Sequence, residues 1–176
     1  MPPIYSTPPD ELAPPLKPGV EVVVGPAFGQ DVLGSEDTRR GTWYEVTWTK
    51  PEPRLRYKGY DAALVLGAHY MFTKGGGFED IPVNKMHTYG VTAAGRYPLP
   101  WVRSGRLFID VGWGFSYNSI RTRDLDAHLN STPFVGIGWQ FDQGTVTVTA
   151  FHMSNGGLSG NNQGLNQLQI RFGYRL

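Results

Sequence analysis

Residues 166–176 read Asn-Gln-Leu-Gln-Ile-Arg-Phe-Gly-Tyr-Arg-Leu, and from Leu168 onward apolar and polar positions alternate without a break. Successive side chains of a β-strand point to opposite faces, so this period of two predicts a strand with one apolar and one polar face. The apolar face holds Leu168, Ile170, Phe172, Tyr174 and Leu176, and Gln and Arg side chains occupy the other. The fold must therefore give each of these faces a different environment.

The same alternation occurs in several other segments, separated by stretches rich in Gly, Pro, Asn and Asp. The tightest connection is Asp142-Gln143-Gly144, a turn that predicts a hairpin. The count reaches eight strands, which is the size of a small closed barrel. Besides 166–176, the predicted strands are 20–28, 42–49, 61–72, 87–97, 106–117, 133–141 and 145–154.

Charged residues on the face opposite the aliphatic and aromatic side chains indicate which side of the barrel is the inside. Such charges can pair in a narrow polar lumen but would be costly in lipid, so the apolar faces should contact lipid. We predict an all-β, eight-stranded antiparallel up-and-down transmembrane β-barrel, and the outward aliphatic faces disfavour a soluble ligand-carrying barrel. The charges expected in the lumen are Glu21, Glu45, Arg96, Arg106, Asp110, Arg171 and Arg175.

Composition excludes several classes of protein. The chain has no cysteine, which excludes disulfides and thiolate chemistry, and its net charge of +1 does not argue for nucleic acid as a partner. No apolar run approaches the roughly 18 to 20 residues that a transmembrane helix needs.

The domain organisation predicted from sequence has two parts. Residues 1–18 contain three Pro-Pro pairs and predict a weakly packed, Pro-rich N-terminal arm, whereas residues 19–176 form the barrel. The chain starts Met-Pro-Pro without a signal peptide, so we expect that segment to be absent from this numbering if the protein is exported.

His152 and Ser154 are the candidate chemical groups. They lie two residues apart in the predicted seventh strand, so both side chains emerge on its apolar face with Cα atoms roughly 6.5 to 7 Å apart. This arrangement suits an imidazole that takes the proton from a serine hydroxyl as the serine attacks an ester. Asn166 begins the eighth strand on the same face and is expected to orient the imidazole. His152, Ser154 and Asn166 are thus the predicted catalytic residues.

The connection between the last two strands is rich in Gly and Asn. Its backbone N–H groups and side-chain amides predict an oxyanion hole or substrate-binding loop. The residues assigned to that role are Asn155, Gly156, Gly157 and Asn162.

Residues 152–158 (His-x-Ser-Asn-x-Gly-Leu), followed by 162–164 (Asn-x-Gly) and a short terminal strand, resemble the outer-membrane lipid A 3-O-deacylases of the acyloxyacyl hydrolase group. Weaker resemblance extends back through 108–113. The resemblance implies location in a bacterial outer membrane and lipid A or lipopolysaccharide as partner. It also implies that Ser154 is the nucleophile and His152 the base in removing an ester-linked acyl chain without a metal or other cofactor.

One position departs from the family pattern, because Asn166 stands where the family has Glu. An amide can accept a hydrogen bond from imidazole but carries no charge to stabilise imidazolium, and a carboxylate-to-amide change in a serine protease triad costs on the order of 10⁴ in rate. We expect Asn166→Glu to raise activity. The alternative is a catalytically inactive structural or lipid-binding barrel of the same descent. Asp124 and Asp126 are more remote candidates for an acid.

Two further interpretations concern binding partners. Six cationic residues fall in predicted outer loops, where they could pair with lipid A phosphates. A homodimer is left open by the sequence. The six cations are Arg39, Arg40, Lys74, Lys85, Arg121 and Arg123.

Overall fold

The structure is a computed structural model that describes residues 12–56, 60–75, 85–99, 106–122 and 124–176. Apart from two single-turn 3-10 helices, its regular elements are strands. They are β1 (Gly19–Gln30), β2 (Arg40–Pro51), β3 (Ala63–Lys74), β4 (Met86–Pro98), β5 (Leu107–Asn118), β6 (Leu129–Ser131), β7 (Phe134–Gln140), β8 (Gly144–Met153) and β9 (Leu165–Arg175). In the described part of the chain, no helix is long and apolar enough to cross a membrane.

All strands pair antiparallel in one sheet that closes on itself. Each strand pairs with its neighbour in sequence, β5 continues its ladder with both β6 and β7, and β1 pairs with β9. Because β6 and β7 lie end to end against β5, they act as one barrel strand. The closed eight-stranded up-and-down barrel predicted from the alternation is confirmed.

The sixth barrel strand differs from its prediction, which was one segment over 133–141. Its ladder to β5 is interrupted at Thr132 and Pro133, and the short β6 lies within what was predicted to be a loop. Pro133 has no N–H group to donate, so the ladder cannot pass through it unchanged. The Pro133 carbonyl instead accepts a hydrogen bond of 3.0 Å from the His152 N–H on β8. The interruption therefore lies beside the candidate site.

The apolar faces point away from the lumen, which is the reverse of a soluble ligand-carrying barrel. Exposed side chains on the barrel wall include Trp48, Val91, Trp113, Phe115 and Tyr174. Five of the seven charged side chains expected in the lumen are buried inside, where Arg96 forms a two-pronged ion pair with Asp110 at 2.8 and 2.9 Å. Arg106 is instead partly exposed at one end of the barrel, where it pairs with Asp142 at 2.7 Å. An apolar wall around a charged lumen is stable only when lipid surrounds the wall.

Glu45 is the centre of a hydrogen-bonded group in the lumen. Arg171 Nη1 lies 3.2 Å from Glu45 Oε2, and the same carboxylate accepts hydrogen bonds from the Trp43 indole and the Thr92 hydroxyl. A Cβ at Gly67 would strike the Glu45 carboxylate, so the glycine provides the space that the network needs. A small cavity of about 30 Å³ remains among these side chains.

The barrel has two ends, which we name by their connections. The upper end carries the connections 31–39, 75–85, 119–128 and 154–164, and the lower end carries 52–62, 99–106 and 141–143 together with the start of β1 and the end of β9. Inside the upper end lies an apolar cluster in which Leu125 of the 119–128 connection packs among inward-facing side chains. That cluster comprises Ala27, Trp43, Met71, Met86, Leu125, Phe151, Met153 and Leu165.

The N-terminal arm packs more tightly than its prolines predicted. Residues 1–11 lie outside the described part of the chain, but Leu12 and Leu16 are buried and cluster with Ala63 at the lower end of β3. The prediction of weak packing is therefore wrong for 12–16. Two leucines among the prolines supply apolar area that favours burial over an extended arm in water.

Candidate functional site

His152 and Asn166 meet across the last hairpin at the upper end. They are directly paired residues of β8 and β9, and the His152 Nδ1 atom lies 2.7 Å from Asn166 Oδ1. Strand alternation places both side chains on the outward-facing side, in line with Ala150 and Leu168. The imidazole is partly exposed, whereas Asn166 is 6% exposed.

A second hydrogen bond of Asn166 fixes the direction of the first. Asn166 Nδ2 donates to the Val32 carbonyl at 2.7 Å, so the amide must present its oxygen to the imidazole. His152 Nδ1 then carries the proton, and Nε2 is left as the acceptor. This is the tautomer that a general base needs in order to take a proton from a serine hydroxyl.

Gly164 shapes the space around the imidazole. Its φ is +83°, and a Cβ at this position would lie 2.6 Å from His152 Cε1. Its N–H donates to the Asp124 carbonyl at 2.9 Å, which ties the 154–164 connection to the 119–128 connection. Only glycine satisfies the backbone conformation and the close approach together.

Ser154 lies next to the imidazole along the chain but is hydrogen-bonded elsewhere. Its backbone exchanges hydrogen bonds with Ser131, and the two hydroxyl oxygens are 3.5 Å apart. Among the described residues, no hydrogen bond joins Ser154 to His152. The structure thus brings together two of the three predicted catalytic residues and places the third two positions along the same strand face.

Asn155 organises the connection that follows Ser154. It is buried, its Nδ2 donates to the Ser159 carbonyl at 2.8 Å, and its Oδ1 accepts from the Gly157 N–H at 2.8 Å. Its own N–H donates to Asn162 Oδ1 at 2.7 Å. Both sides of the Asn155 amide are therefore occupied within the loop.

Gly156 and Gly157 present the exposed backbone of this loop. Both adopt positive φ, +66° and +76°, and a Cβ would meet nothing within 4 Å at either position. The Gly156 N–H donates to no atom of the described residues, whereas that of Gly157 is used by Asn155. Gly156 N–H and Asn162 Nδ2 are two donors of this loop that make no hydrogen bond to the described residues.

An apolar groove of about 580 Å³ crosses the outside of the wall beside His152. It extends from the connection after β1, past the imidazole, to β5, and it coincides with the interruption of the β6–β7 strand at Pro133. A groove of this character on a lipid-facing wall suits an acyl chain. Its side-chain lining includes Val32, Leu33, Val111, Trp113, Val135, Ala150 and Leu168.

Several polar residues predicted near the site have other partners. Arg39 is buried and pairs with Asp37 at 2.7 Å, so it cannot bind an external phosphate. Arg121 lies 3.7 Å from Asp126. Arg40, Lys74 and Lys85 are exposed, and Arg123 lies outside the described residues.

The aspartate candidates for a triad acid do not contact the imidazole. Asp124 is fully buried, and its Oδ2 accepts N–H groups of Glu36 at 2.8 Å and Asp37 at 3.0 Å. Asp126 accepts nothing from His152 in the described part of the chain. Asn166 is therefore the described residue that orients His152.

Sequence reasoning missed three contributors to the site. The Ser131 hydroxyl lies within hydrogen-bonding distance of the Ser154 hydroxyl, and the Val32 carbonyl accepts from the Asn166 amide and so fixes its orientation. Gly164 leaves the space that the His152 imidazole occupies. Ser131 comes from β6 and Val32 from the connection after β1, and neither carries a motif. Gly164 belongs to the Asn-x-Gly run used for the resemblance, and its position after the loop was the available signal.

A closed barrel with lipid-facing walls, and with a histidine and a serine beside an apolar groove, defines the class of an outer-membrane β-barrel protein with a hydrolase-like site. A comparison with protein-family models matches residues 38–175 to the lipid A 3-O-deacylase (PagL) family. The chain belongs to that family, and it is a bacterial outer-membrane protein.

Solved structures show the same fold. The crystal structure of the outer membrane enzyme PagL superposes with a TM-score of 0.66 at 20% identity, covering 89% of this chain and 99% of that one. The outer membrane protein Ail of Yersinia pestis, in a phospholipid bilayer nanodisc, gives a TM-score of 0.52 at 11% identity, covering 91% and 100%. No curated protein matches the chain.

Proposed function

We propose that this protein is a serine esterase that hydrolyses an ester-linked acyl chain of lipid A. The observation that carries the proposal is the His152–Asn166 pair, whose amide is held so that His152 Nε2 is the free acceptor at the edge of the apolar groove. Family membership supports lipid A as substrate.

In the proposed mechanism, the upper end lies at the outer leaflet and the acyl chain occupies the groove. Ser154 rotates from Ser131 towards His152, whose Nε2 takes the hydroxyl proton as Oγ attacks the ester carbonyl. Gly156 N–H and Asn162 Nδ2 stabilise the oxyanion, while Asn155 and Gly157 hold the loop in shape. The imidazolium then protonates the departing sugar oxygen, and water releases the acyl group from Ser154.

Asn166 makes this a triad without a carboxylate. The amide oxygen fixes the imidazole tautomer, but it supplies no negative charge to the imidazolium that forms during attack. We therefore expect a slower chemical step than a glutamate would allow. One chain supplies every proposed group, and the comparisons give no support to the homodimer left open by the sequence.

Mass spectrometry of lipid A tests the proposal. Purified lipid A in detergent micelles is incubated with the wild-type protein and with Ser154→Ala. The wild type should release one acyl chain and the variant none. Heat-modifiable migration on a gel should show that both proteins are folded barrels. Unchanged acylation by the wild type, across lipid A preparations of different acyl length, would favour the inactive lipid-binding barrel instead.

A further inference from the structure

The connection after β1 contains a strained turn at the edge of the groove. Residues 32–35 (Val-Leu-Gly-Ser) close a four-residue turn in which the Ser35 N–H donates to the Val32 carbonyl at 3.1 Å. The central residues Leu33 and Gly34 have φ of +53° and +86°, a pairing that favours Asn-Gly or Gly-Gly. Leu33 is the one non-glycine residue with positive φ in the described part of the chain. Strain of this kind persists where surrounding contacts hold it.

The base of this connection is anchored in the barrel. Ser35 is buried, and its hydroxyl lies 3.4 Å from Asp124 Oδ2. Asp124 Oδ2 also accepts hydrogen bonds from the backbone N–H groups of Glu36 and Asp37. The tip is held differently, because its side chains are not buried: Leu33 is 83% exposed and Val32 50%. The side-chain bond that fastens the tip to the wall is the one from Asn166 Nδ2 to the Val32 carbonyl.

An exposed leucine at a turn position that disfavours leucine is explained if its side chain contacts a bound ligand. Leu33 and Val32 line one end of the groove, and Asn166 lies between them and His152. A lipid chain in the groove would cover both apolar side chains, and covering apolar surface in this way favours binding.

We propose that the 32–35 turn is the specificity-determining end wall of the acyl site and that Asn166 holds it there. Asn166 thus has two tasks that a carboxylate could not combine, because Nδ2 donates to the turn while Oδ1 accepts from the imidazole. A carboxylate would present an oxygen to the Val32 carbonyl and release the turn. The inference rests on the proposed esterase function and adds a reason for an amide at position 166.

Leu33→Asn separates this role from a structural one. Asn tolerates positive φ better than Leu, so the substitution should leave the turn at least as stable, yet it removes the apolar wall. We expect KM for the best substrate to rise about tenfold with little change in kcat, and discrimination between acyl chains of different length to weaken. The matched control is Leu129→Asn, which changes an exposed leucine of β6 outside the groove and should leave KM and the chain-length profile unchanged. Unchanged KM and an unchanged chain-length profile in Leu33→Asn would overturn the proposal.

Asn166→Asp tests the second task with a side chain of the same size. The carboxylate should raise kcat by supplying the missing charge, and it should raise KM by releasing the turn. The earlier expectation of higher activity with Asn166→Glu concerns the first effect and stays a prediction. A rise in kcat with KM unchanged would show that the bond to Val32 does not shape the acyl site.

A binding measurement distinguishes failure of this inference from failure of the esterase proposal. The experiment uses the Ser154→Ala variant in detergent micelles and follows the fluorescence of Trp113, which lies at the other end of the groove. A single-chain lipid with bromine atoms on its acyl chain is titrated in and quenches this fluorescence when it binds. Trp113→Phe defines the signal of the other tryptophans. Adding Leu33→Asn should raise the lipid concentration at half-maximal quenching about tenfold, whether or not the wild-type protein hydrolyses lipid A. Equal quenching with and without Leu33→Asn would reject the wall even in an active esterase.

Discussion

Two histidine–serine pairs lie on opposite sides of the barrel wall, and the pair with the shorter contact is not the candidate site. In the lumen, His69 Nε2 is 3.1 Å from the Ser116 hydroxyl, and the imidazole stacks on Trp43 with ring centroids 4.1 Å apart. On the outer wall, His152 and Ser154 share a face without a hydrogen bond between them.

The two pairs differ in access and in orientation. His69 is enclosed, and its Nδ1 is buried without a hydrogen-bond partner in the described chain, so nothing there selects a tautomer. His152 borders an open apolar groove, and Asn166 selects its tautomer. A short His–Ser contact therefore does not identify a catalytic site unless a substrate can reach it and a third group fixes the base.

Serine substitutions should give the largest contrast. Ser154→Ala should lower kcat by on the order of 10⁴-fold or more, because it removes the proposed nucleophile. Ser116→Ala should keep a rate within about twofold of the wild type. Lipid A turnover in micelles measures both, and comparable losses in the two variants would remove the distinction between the pairs.

Histidine substitutions should separate chemistry from stability. His152→Gln removes the base, and we expect kcat to fall on the order of 10³-fold with unchanged urea unfolding in lipid vesicles. His69→Gln should instead cost about 1 to 3 kcal/mol of unfolding free energy, through the lost stacking on Trp43, with turnover retained. If His69→Gln stops turnover while the barrel remains folded, the lumen contributes to the chemistry after all.

Filling the groove should have an intermediate effect. Ala150→Phe places a ring where the acyl chain would lie, and we expect at least a tenfold loss in kcat/KM. Val148→Phe adds a ring to the same lipid-facing side of β8, two residues below, outside the groove lining. Chain-length profiles of the two variants should diverge, and similar kinetics would place the acyl chain elsewhere.

The smallest effect on turnover is expected from the lumen ion pair. Arg171→Met leaves the Glu45 carboxylate buried without its cation, and breaking one side of such a pair costs about 3 to 5 kcal/mol of stability. Turnover should change less than twofold below the temperature of unfolding. Thermal unfolding in detergent, followed by circular dichroism, measures the loss, and a stable variant with slow turnover would contradict the separation of lumen and site.

The fold was predictable from sequence because alternation is a local signal. Each strand of a barrel with a polar interior shows its two faces within about ten residues, as 166–176 does. The interruption at Pro133 and the burial of Leu16 were missed because they depend on what packs against each residue. The alternation of apolar and polar residues along the sequence carries no information about such contacts.

The site was predictable to the extent that it lies within one hairpin. His152 and Asn166 face each other because β8 and β9 are consecutive strands, and parity places Ser154 on the same side. Val32 lies in a connection and Ser131 in β6, and each is more than twenty residues from its partner in sequence. Their roles follow from sheet pairing, which brings the end of β1 to β9 and Ser131 to Ser154.

The two apolar closures of the lumen bear on permeability. Leu125 and its neighbours fill the upper end, and Leu16 with Leu12 lies at the lower end, with a cavity of about 30 Å³ among the charged side chains between them. A planar bilayer containing this protein should therefore show no steady ion conductance. The outer membrane can display this site at its surface while remaining a barrier to small solutes.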